Sequence, residues 1–344
     1  MHAYRILQLV GSPTSDFFRE LSLVYARGCV AALDDARYTF VFACVSPDGR
    51  WRFPQSLEGA AIDAAEPLDL AHALSTIAAA RIDLALPQMF CHAGMTDYRA
   101  LLELLKIPYL GNRPAAMALT ADKAKTRAVV AAAGVPIPKG QLVRRGETPT
   151  IVPPAVVKPS DADNSDGVTR VRSFEEYDAA LESAFAHSSA VLVEEFIELG
   201  REVRCGIVER NGTLVCLPLE EYFVDAVARP IRTRADKLAG DSENGLSLVA
   251  KVSREAWIVA LDDPIVERVW QVARRCHVAL GARHYSLFDF RIDPSGQPWF
   301  LEAGLYCSYS PQSVLATMMA AAGEPIDQFF ASSLAELFAT PLAE

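Results

Sequence analysis

Two apolar segments near the C-terminal end of the chain, residues 286–292 and 299–302, flank the short sequence Asp293-Pro-Ser-Gly296. Its Pro and Gly occupy positions that suit a type I turn, so the two segments are predicted to pair as a β-hairpin. Asp289 and Glu302 lie on these strands among Leu, Phe and Trp residues. An isolated pair of strand acids is usually solvated, but a carboxylate in so apolar a hairpin needs a partner. The pattern therefore predicts two converging carboxylates, the hard ligands that Mg²⁺ takes together with substrate phosphates.

The first third of the chain alternates between strand and helix patterns. Apolar and β-branched runs predict strands, and segments with helical periodicity lie between them. In chain order the predicted elements are strand 5–10, helix 17–30, strand 38–45, helix 70–80, strand 82–86 and helix 98–105. This order predicts an α/β fold with a small open parallel sheet.

The chain has 344 residues, more than one compact core usually serves, so we expect several domains around a shared site. We predict an N-terminal α/β domain at 1–112, a central segment at 113–196 and a C-terminal segment at 197–344. Beyond residue 113 and before the hairpin, the predicted elements are helix 123–134, strand 155–158, helix 174–186, strands 191–194, 203–209 and 214–219, and helix 264–278.

Charge and composition narrow the class of partner. The net charge is −10 and the sequence has no cluster of Lys and Arg, which disfavours nucleic acid and anionic membranes as partners. No apolar run is long enough for a signal segment or a membrane span. Seven scattered cysteines predict free, buried thiols. We expect a cytoplasmic protein that binds small-molecule substrates, and the sequence leaves open whether it forms a homodimer.

Two lysines stand where the chain can bind an anion. Lys158 ends the apolar strand 155–158 and precedes a polar loop, 160–167, that contains Ser165. Lys123 lies just inside a predicted helix N-terminus, where backbone N–H groups point outward. Either lysine alone is most often a solvated surface charge. Together they predict two cations for the same phosphates.

Two acids lie at strand boundaries. Glu194 ends the apolar strand 191–194, and Glu202 precedes the strand 203–209. Such carboxylates can accept hydrogen bonds from an adenine amino group or from ribose hydroxyls. Taken singly, they are most often ordinary surface acids.

The order of these parts resembles the D-alanine–D-alanine ligase branch of the ATP-grasp enzymes. The similarity covers most of the chain and includes Leu104-Leu-Lys-Ile-Pro-Tyr-Leu-Gly111, Ala133-Gly-Val-Pro136, Val156-Val-Lys-Pro159 and Gly296-Gln-Pro-Trp-Phe-Leu-Glu-Ala303. Each motif alone has low specificity, whereas their shared order is specific. The resemblance implies an α/β ATP-grasp fold and a ligase that uses ATP and Mg²⁺ to form a carbon–nitrogen bond, with release of ADP and phosphate.

The resemblance also implies a role for individual residues. The residues it assigns are Lys123, Lys158 and Ser165 for the ATP phosphates, Lys237 for the γ-phosphate, Glu194 and Ile197 for the adenine, Glu202 for the ribose, Asp289 and Glu302 for Mg²⁺, and Ser313, at a helix N-terminus, for a substrate carboxylate.

The chain departs from the family at the reaction centre. Leu287 stands where the family has an arginine that stabilises the tetrahedral intermediate, and Gly304 stands where it has an asparagine metal ligand. Another cation must replace that arginine, because such electrostatic stabilisation is a large part of catalysis. The candidates are Arg291, Arg204 and His284. We predict Arg291 as the catalytic replacement, because it lies two residues from the metal aspartate on the same strand face.

The loop after the metal glutamate contains Tyr306 and Tyr309 and is more aromatic than a dipeptide site needs. Leu86-Pro-Gln-Met-Phe-Cys91 and His284-Tyr-Ser-Leu-Phe-Asp289 are similar to segments of ligases that attach serine, threonine or a similar amino acid to mycosporine-glycine. This resemblance implies that the enzyme phosphorylates an enol-type ring oxygen, that an amino-acid amine displaces the phosphate, and that the two tyrosines contact the substrate. Two alternatives stay open: a D-alanine–D-alanine or other dipeptide ligase, and a nucleotide-binding regulator that has lost catalysis.

Overall fold

The computed structural model describes residues 3–162, 166–225, 238–241, 245–248 and 255–339. Three main sheets follow one another along these parts of the chain. Two predicted site residues, Ser165 and Lys237, lie outside the described residues.

The first sheet confirms the parallel arrangement predicted for the N-terminal part. Strand β1 (Tyr4–Gly11) pairs in parallel with β2 (Tyr38–Val45) and β4 (Leu84–Pro87), and the two-residue β3 (Trp51–Arg52) adds an antiparallel edge. The helices of this part are α1 (Asp16–Ala32), α2 (Gly59–Ala64), α3 (Leu70–Ala79), α4 (His92–Met95), α5 (Asp97–Leu104) and α6 (Pro114–Thr120).

The second sheet is antiparallel and follows helix α7 (Lys123–Ala132). Its strands are β5 (Gly140–Arg144), β6 (Ala155–Pro159), β7 (Thr169–Val171) and β8 (Ala190–Glu195), in the order β5-β8-β6-β7. A short 3₁₀ turn at Phe174–Glu176 leads into α8 (Tyr177–Phe185), whose apolar side chains pack on one face of this sheet.

The third sheet contains the predicted hairpin. Its strands are β9 (Arg201–Arg210), β10 (Thr213–Cys216), β11 (Glu220–Tyr222), β14 (Ala256–Ile258), β15 (Tyr285–Ile292) and β16 (Pro298–Gly304), in the order β14-β11-β9-β15-β16 with β10 beside β9. Strands β12 (Leu238–Asp241) and β13 (Gly245–Leu248) form a separate antiparallel pair. The remaining helices are α9 (Ile265–Ala279), α10 (Val314–Ala321) and α11 (Ile326–Ala339).

The hairpin turn forms as its sequence predicts. The N–H of Gly296 donates to the carbonyl of Asp293 over 2.9 Å, and Gly296 adopts a φ of +83°, which an L-residue with a side chain rarely adopts. The strands that it joins place Asp289 opposite Glu302. The predicted convergence of the two carboxylates is therefore built into the pairing.

One face of the third sheet is apolar. Strand alternation points Val203, Cys205, Phe288 and Phe290 to the same side, where all four are fully buried in a cluster that includes α9. Residues in between point to the opposite side, which faces the second sheet.

The apolar cores do not follow the predicted domain boundaries. One buried cluster joins Ile6 and Leu86 of the first sheet to Met318, Phe329 and Phe330 of α10 and α11. The N-terminal and C-terminal parts of the chain thus share a core, and the division into three domains stays a prediction.

Two further expectations concern the chain as a whole. None of the seven cysteines forms a disulfide and five of them are buried, as predicted. Within the described ranges, no helix combines the length and the apolar character needed to cross a membrane. The cytoplasmic location and the homodimer stay predictions.

Asn112 ties the end of the N-terminal part to the hairpin. Its amide Nδ2 donates to the carbonyls of Tyr285 and Leu305, both over 2.8 Å, and its Oδ1 accepts from the N–H of Arg283 over 2.8 Å. The side chain is fully buried. Two of these hydrogen bonds are buried and the third is partly buried, and together they satisfy three backbone groups.

We predict that Asn112→Ala lowers the free energy of unfolding by about 3 kcal/mol, because it leaves two carbonyls and one N–H buried without this partner. Urea denaturation measures the change. The control is Gln271→Ala, which removes an exposed amide from α9. A loss for Asn112→Ala no larger than that of the control would contradict the structural role of Asn112.

Candidate active site

A cleft opens between the second and third sheets. Residues of α7, of both sheets and of the loops beside them line it. Among the predicted site residues that the structure describes, it brings together Lys123, Lys158, Glu194, Ile197, Glu202, Asp289, Arg291 and Glu302.

Two rows of side chains cross the cleft face of the third sheet, because residues that pair across antiparallel strands point to the same side. The first row consists of Glu220, Arg204, Asp289 and Glu302. The second row, two residues further along each of β11, β9 and β15, consists of Tyr222, Glu202, Arg291 and Trp299. The two rows place acids and cations side by side over the length of the cleft.

In the first row, each predicted metal acid has a cationic partner. Arg204 forms a two-pronged ion pair with Asp289, in which Nη2 lies 2.7 Å from Oδ2. Lys123 Nζ lies 3.3 Å from Glu302 Oε1. Burial alone would lower the pKa of the Arg204 guanidinium, but the charge of Asp289 and its hydrogen bonds hold that pKa well above its usual value. Arg204 is therefore a permanent cation at this point of the cleft.

The two predicted phosphate lysines both line the cleft. Lys158 is 8% exposed, and its Nζ lies 2.5 Å from Glu194 Oε2. Arg127 Nε lies 3.0 Å from Glu194 Oε1. Lys123 and Arg127 are four residues apart on α7 and so share a helix face. The burial of Lys158 contradicts its interpretation as a solvated surface charge.

In the second row, Arg291 is held by two hydrogen bonds. Its Nη2 donates to Glu202 Oε2 over 2.8 Å, and its Nη1 donates to the carbonyl of Ile197 over 3.2 Å. The guanidinium carbon also lies 5.1 Å from the centre of the Phe196 ring. Both hydrogen-bond partners were predicted for the nucleoside. The structure thus places Arg291 at the predicted nucleoside end of the cleft, and its predicted catalytic role stays a prediction.

The acids of the first row have the chemistry of a Mg²⁺ site. Asp289 and Glu302 are paired residues of adjacent strands, and carboxylate oxygens are the ligands that Mg²⁺ prefers. Among the described residues, no three His, Cys, Asp or Glu side chains converge on one point. A pair of carboxylates fits a cation whose remaining ligands are phosphate oxygens and water.

An aromatic group lies at the junction of the N-terminal part and the loop after β16. The ring of Phe90 packs against Tyr25 on α1, with centroids 5.1 Å apart, and against Tyr306, with centroids 5.9 Å apart. Tyr306 is 41% exposed. Burial raises the pKa of Tyr25 to about 12, while the charges of Cys307 and Arg204 act on it in opposite directions.

The other tyrosine of the loop, Tyr309, lies in the core and does not face the cleft. It is 3% exposed, and its ring lies 4.9 Å from that of Phe329 and 5.1 Å from that of Phe330. The apolar face of α11 accounts for this placement, because it offers the ring more buried contact than the cleft does. The predicted substrate contact of Tyr309 has no support in this position.

Ser313 lies at a helix start, as predicted. It is the N-cap of α10, and its hydroxyl accepts a hydrogen bond from the N–H of Ala316 over 3.2 Å. The side chain is 4% exposed. Its contact with a substrate carboxylate stays a prediction.

Four residues near the site were not among the predicted site residues, and local spacing could have identified two of them. Arg127 follows Lys123 by one helical turn, and Tyr222 follows Glu220 by two residues on one strand. Tyr25 and Phe90 carry no such signal, because their contact joins α1 to a loop distant in sequence.

Comparison with known proteins places the chain among ligases. A family profile described as D-ala D-ala ligase C-terminus matches residues 139–334. The D-alanine–D-alanine ligase of Citrifermentans bemidjiense is 31% identical over 229 residues, which are 65% of this chain and 68% of that protein.

Two solved structures share the fold over nearly the whole chain. The VanG D-Ala:D-Ser ligase from Enterococcus faecalis superposes with a TM-score of 0.76 at 21% identity, covering 98% of this chain and 100% of that one. The D-alanine–D-alanine ligase from Bacillus anthracis complexed with ATP gives a TM-score of 0.70 at 21% identity, covering 98% of each chain. These similarities confirm the predicted ATP-grasp fold.

We predict that Lys158→Ala weakens the binding of MgATP at least tenfold, about 1.4 kcal/mol, because it removes a buried cation from the cleft. Arg127 remains beside Glu194 in this variant, so the acid keeps a partner. The matched control is Lys125→Ala, which removes a lysine that is 70% exposed on α7 and paired with Asp122. Calorimetry measures both affinities. Equal affinity in the two variants would refute the phosphate role of Lys158.

Proposed function

This chain belongs to the D-alanine–D-alanine ligase family and is an ATP-dependent ligase, and we propose that it joins an amino-acid amine to a conjugated ring whose oxygen it has phosphorylated. The proposed substrates are mycosporine-glycine and serine, threonine or a similar amino acid. The products are the corresponding imine, ADP and phosphate. The family membership carries the ligase activity, and the residues at the reaction centre support the choice of substrate.

Different residues of the cleft would bind different parts of the nucleotide. Lys123 and Lys158 would bind the phosphates, and Asp289 and Glu302 would hold Mg²⁺. When bound, Mg²⁺ neutralises phosphate charge and aligns the phosphoryl group for transfer. The adenosine end would lie against the residues predicted for it, Glu194, Ile197 and Glu202, which line the same cleft.

The proposed reaction has two steps. In the first, the ring oxygen attacks the γ-phosphorus of ATP, a P–O bond forms, and ADP leaves. In the second, the amino-acid nitrogen bonds to the ring carbon and loses its protons, while the C–O bond breaks and phosphate leaves with the bonding electrons. A C=N double bond results. A dipeptide ligase follows the same sequence with a carboxylate as the electrophile.

The observation that carries the choice of electrophile is the pairing of Leu287 with Gly304. The two residues lie opposite each other on the hairpin, two residues along from the pair of metal acids and on the same face. Leu287 packs against the cluster that contains Leu315 and Met318 of α10. The family has an arginine and an asparagine at these two positions. This chain has an apolar side chain in place of the arginine and a glycine, without a side chain, in place of the asparagine. A conjugated ring that spreads its charge depends less on a fixed oxyanion partner than a tetrahedral carboxylate adduct does.

The aromatic group supports a ring-shaped substrate. Tyr306 is 41% exposed and packs on Phe90, which in turn packs on Tyr25, and planar conjugated rings pack well against aromatic side chains. Ser313 at the N-terminus of α10 would hold a substrate carboxylate, since the first turn of a helix attracts anions.

A dipeptide ligase is the second candidate, because the relatives that match are named D-alanine–D-alanine ligases. The two candidates differ in the electrophile and share the nucleotide site. The third interpretation, a regulator without catalysis, conflicts with membership in a ligase family and with the retained lysines and metal acids.

We predict that the double variant Asp289→Asn with Glu302→Gln abolishes phosphate release while the protein stays folded, because amides keep the shape of the acids but bind Mg²⁺ poorly. The control is Asp262→Asn with Glu267→Gln, which changes two exposed acids by the same chemistry. Phosphate release is measured for both, and circular dichroism checks the fold. If the first double variant released phosphate at the wild-type rate, the assignment of Asp289 and Glu302 as metal ligands would be wrong.

We predict that D-alanine alone gives little ATP turnover, and that mycosporine-glycine with serine or threonine gives turnover that depends on the amino acid. The reason is the apolar Leu287–Gly304 pair, which offers no oxyanion partner to a carboxylate adduct. Coupled detection of ADP measures the rates, and mass spectrometry identifies the product. Efficient formation of D-alanyl-D-alanine without any response to mycosporine-glycine would favour the dipeptide ligase.

A further inference from the structure

The proposed reaction develops negative charge on one oxygen atom of the electrophile. That oxygen accepts the phosphoryl group in the first step and departs with it in the second. At the position where the family has a stabilising arginine, this chain has Leu287, which carries no charge. The following inference rests on the proposed function, because it concerns the cation that serves this oxygen.

Three side chains are candidates to replace the family's arginine, and two of them, His284 and Arg291, are engaged elsewhere in the structure. Nδ1 of His284 accepts from the N–H of Gly111 over 2.9 Å, and burial lowers the pKa of this imidazole to about 4, so the ring is neutral near pH 7. Arg291 is held by Glu202 and by the carbonyl of Ile197 at the predicted nucleoside end. Neither supplies a cation next to the metal acids.

Arg204 is placed at the centre of the first row. It lies between Glu220 on one side and Asp289 on the other, and its guanidinium carbon lies 5.4 Å from the centre of the Tyr222 ring. The side chain is 17% exposed and pairs with Asp289, which lines the cleft. Arg204 thus lies directly beside the predicted metal aspartate, in the same row as Glu302.

We propose that Arg204 is the catalytic cation that binds the reacting oxygen of the electrophile. Position 204 on β9 neighbours β15, and Leu287 lies one row away from the row of Arg204, about 7 Å along the strands. An extended arginine side chain can span that distance. Gly304 is paired with Leu287, so β16 places no side chain opposite Leu287.

The chemistry of the Arg204 guanidinium suits both Asp289 and a substrate oxygen. It presents several N–H donors in a planar fork, so it can keep one hydrogen bond to Asp289 while donating another to a substrate oxygen. An ammonium group in the same place would supply charge without this geometry. Arg204→Lys is therefore expected to keep part of the activity and Arg204→Ala very little.

The test compares Arg204→Ala and Arg204→Lys with Arg210→Ala. Arg210 lies on the same strand and is 18% exposed, against 17% for Arg204, but it pairs with Glu324 and Glu336 away from the cleft. Wild-type protein is first assayed with mycosporine-glycine plus serine and with D-alanine, and the variants are measured with the electrophile that it turns over. A wrong substrate assignment then changes the electrophile and leaves the comparison of variants intact.

We expect Arg204→Ala to lower kcat about 100-fold, and Arg204→Lys to lower it less. Added guanidinium should restore part of the activity of Arg204→Ala and none of the activity lost in other variants. The affinity for the Mg²⁺ complex of a non-hydrolysable ATP analogue, measured by calorimetry, should stay within about threefold of wild type, because the proposed contact is with the electrophile.

Two results would overturn the proposal. One is a kcat of Arg204→Ala equal to that of Arg210→Ala. The other is a loss of kcat that comes with an equally large loss of affinity for the Mg²⁺-nucleotide complex in both Arg204 variants, which would show that Arg204 only positions Asp289. Thermal melting of all three variants separates either result from unfolding, and Arg204→Lys keeps the comparison valid if Arg204→Ala is unstable.

Discussion

The register between β9 and β15 determines which acids and cations of these two strands pair on the cleft face of the third sheet. It sets Arg204 opposite Asp289 and Glu202 opposite Arg291, while the intervening residues Val203, Phe288 and Phe290 enter the core. A slip by one residue would bury the charged set and expose the aromatic set, because side chains alternate between the two faces of a strand. The apolar core under α9 therefore fixes the site as firmly as any contact within it.

Much of this arrangement could be predicted from local sequence. The hairpin at 286–302 was predicted because a strand pattern, a Pro–Gly turn and a second strand pattern lie within 17 consecutive residues, and the parallel strands β1 and β2 were predicted from long apolar runs. The short strands β3, β7, β11 and β14, of two or three residues each, were not predicted. Strands of this length have no periodicity of their own and form because a longer neighbour offers backbone hydrogen bonds.

The pairing between distant residues also could not be predicted from the sequence. Arg204 and Asp289 are 85 residues apart, and only the register of two strands brings them together, so the sequence left Arg204 as one of three candidates. The position of Arg291 beside Glu202 depends on the same register. The burial of Tyr309 could not be predicted for a related reason, because it is decided by α11, which follows it in the chain and whose packing cannot be read from the loop itself.

The ion pairs of the cleft suggest how a highly charged ligand can enter a partly buried site at a moderate cost. Each cation that the proposed function assigns to a phosphate or to the reacting oxygen is paired with an acid that it assigns to the metal or the adenine: Lys123 with Glu302, Lys158 with Glu194, and Arg204 with Asp289. Burying an unpaired charge costs far more than burying a paired one. When phosphates and Mg²⁺ enter together, the lysines and the acids exchange one oppositely charged partner for another, and no bare charge has to be created. The pairing of acids with cations in and beside the cleft is thus a condition for a site that both excludes water and accepts a nucleotide with its metal.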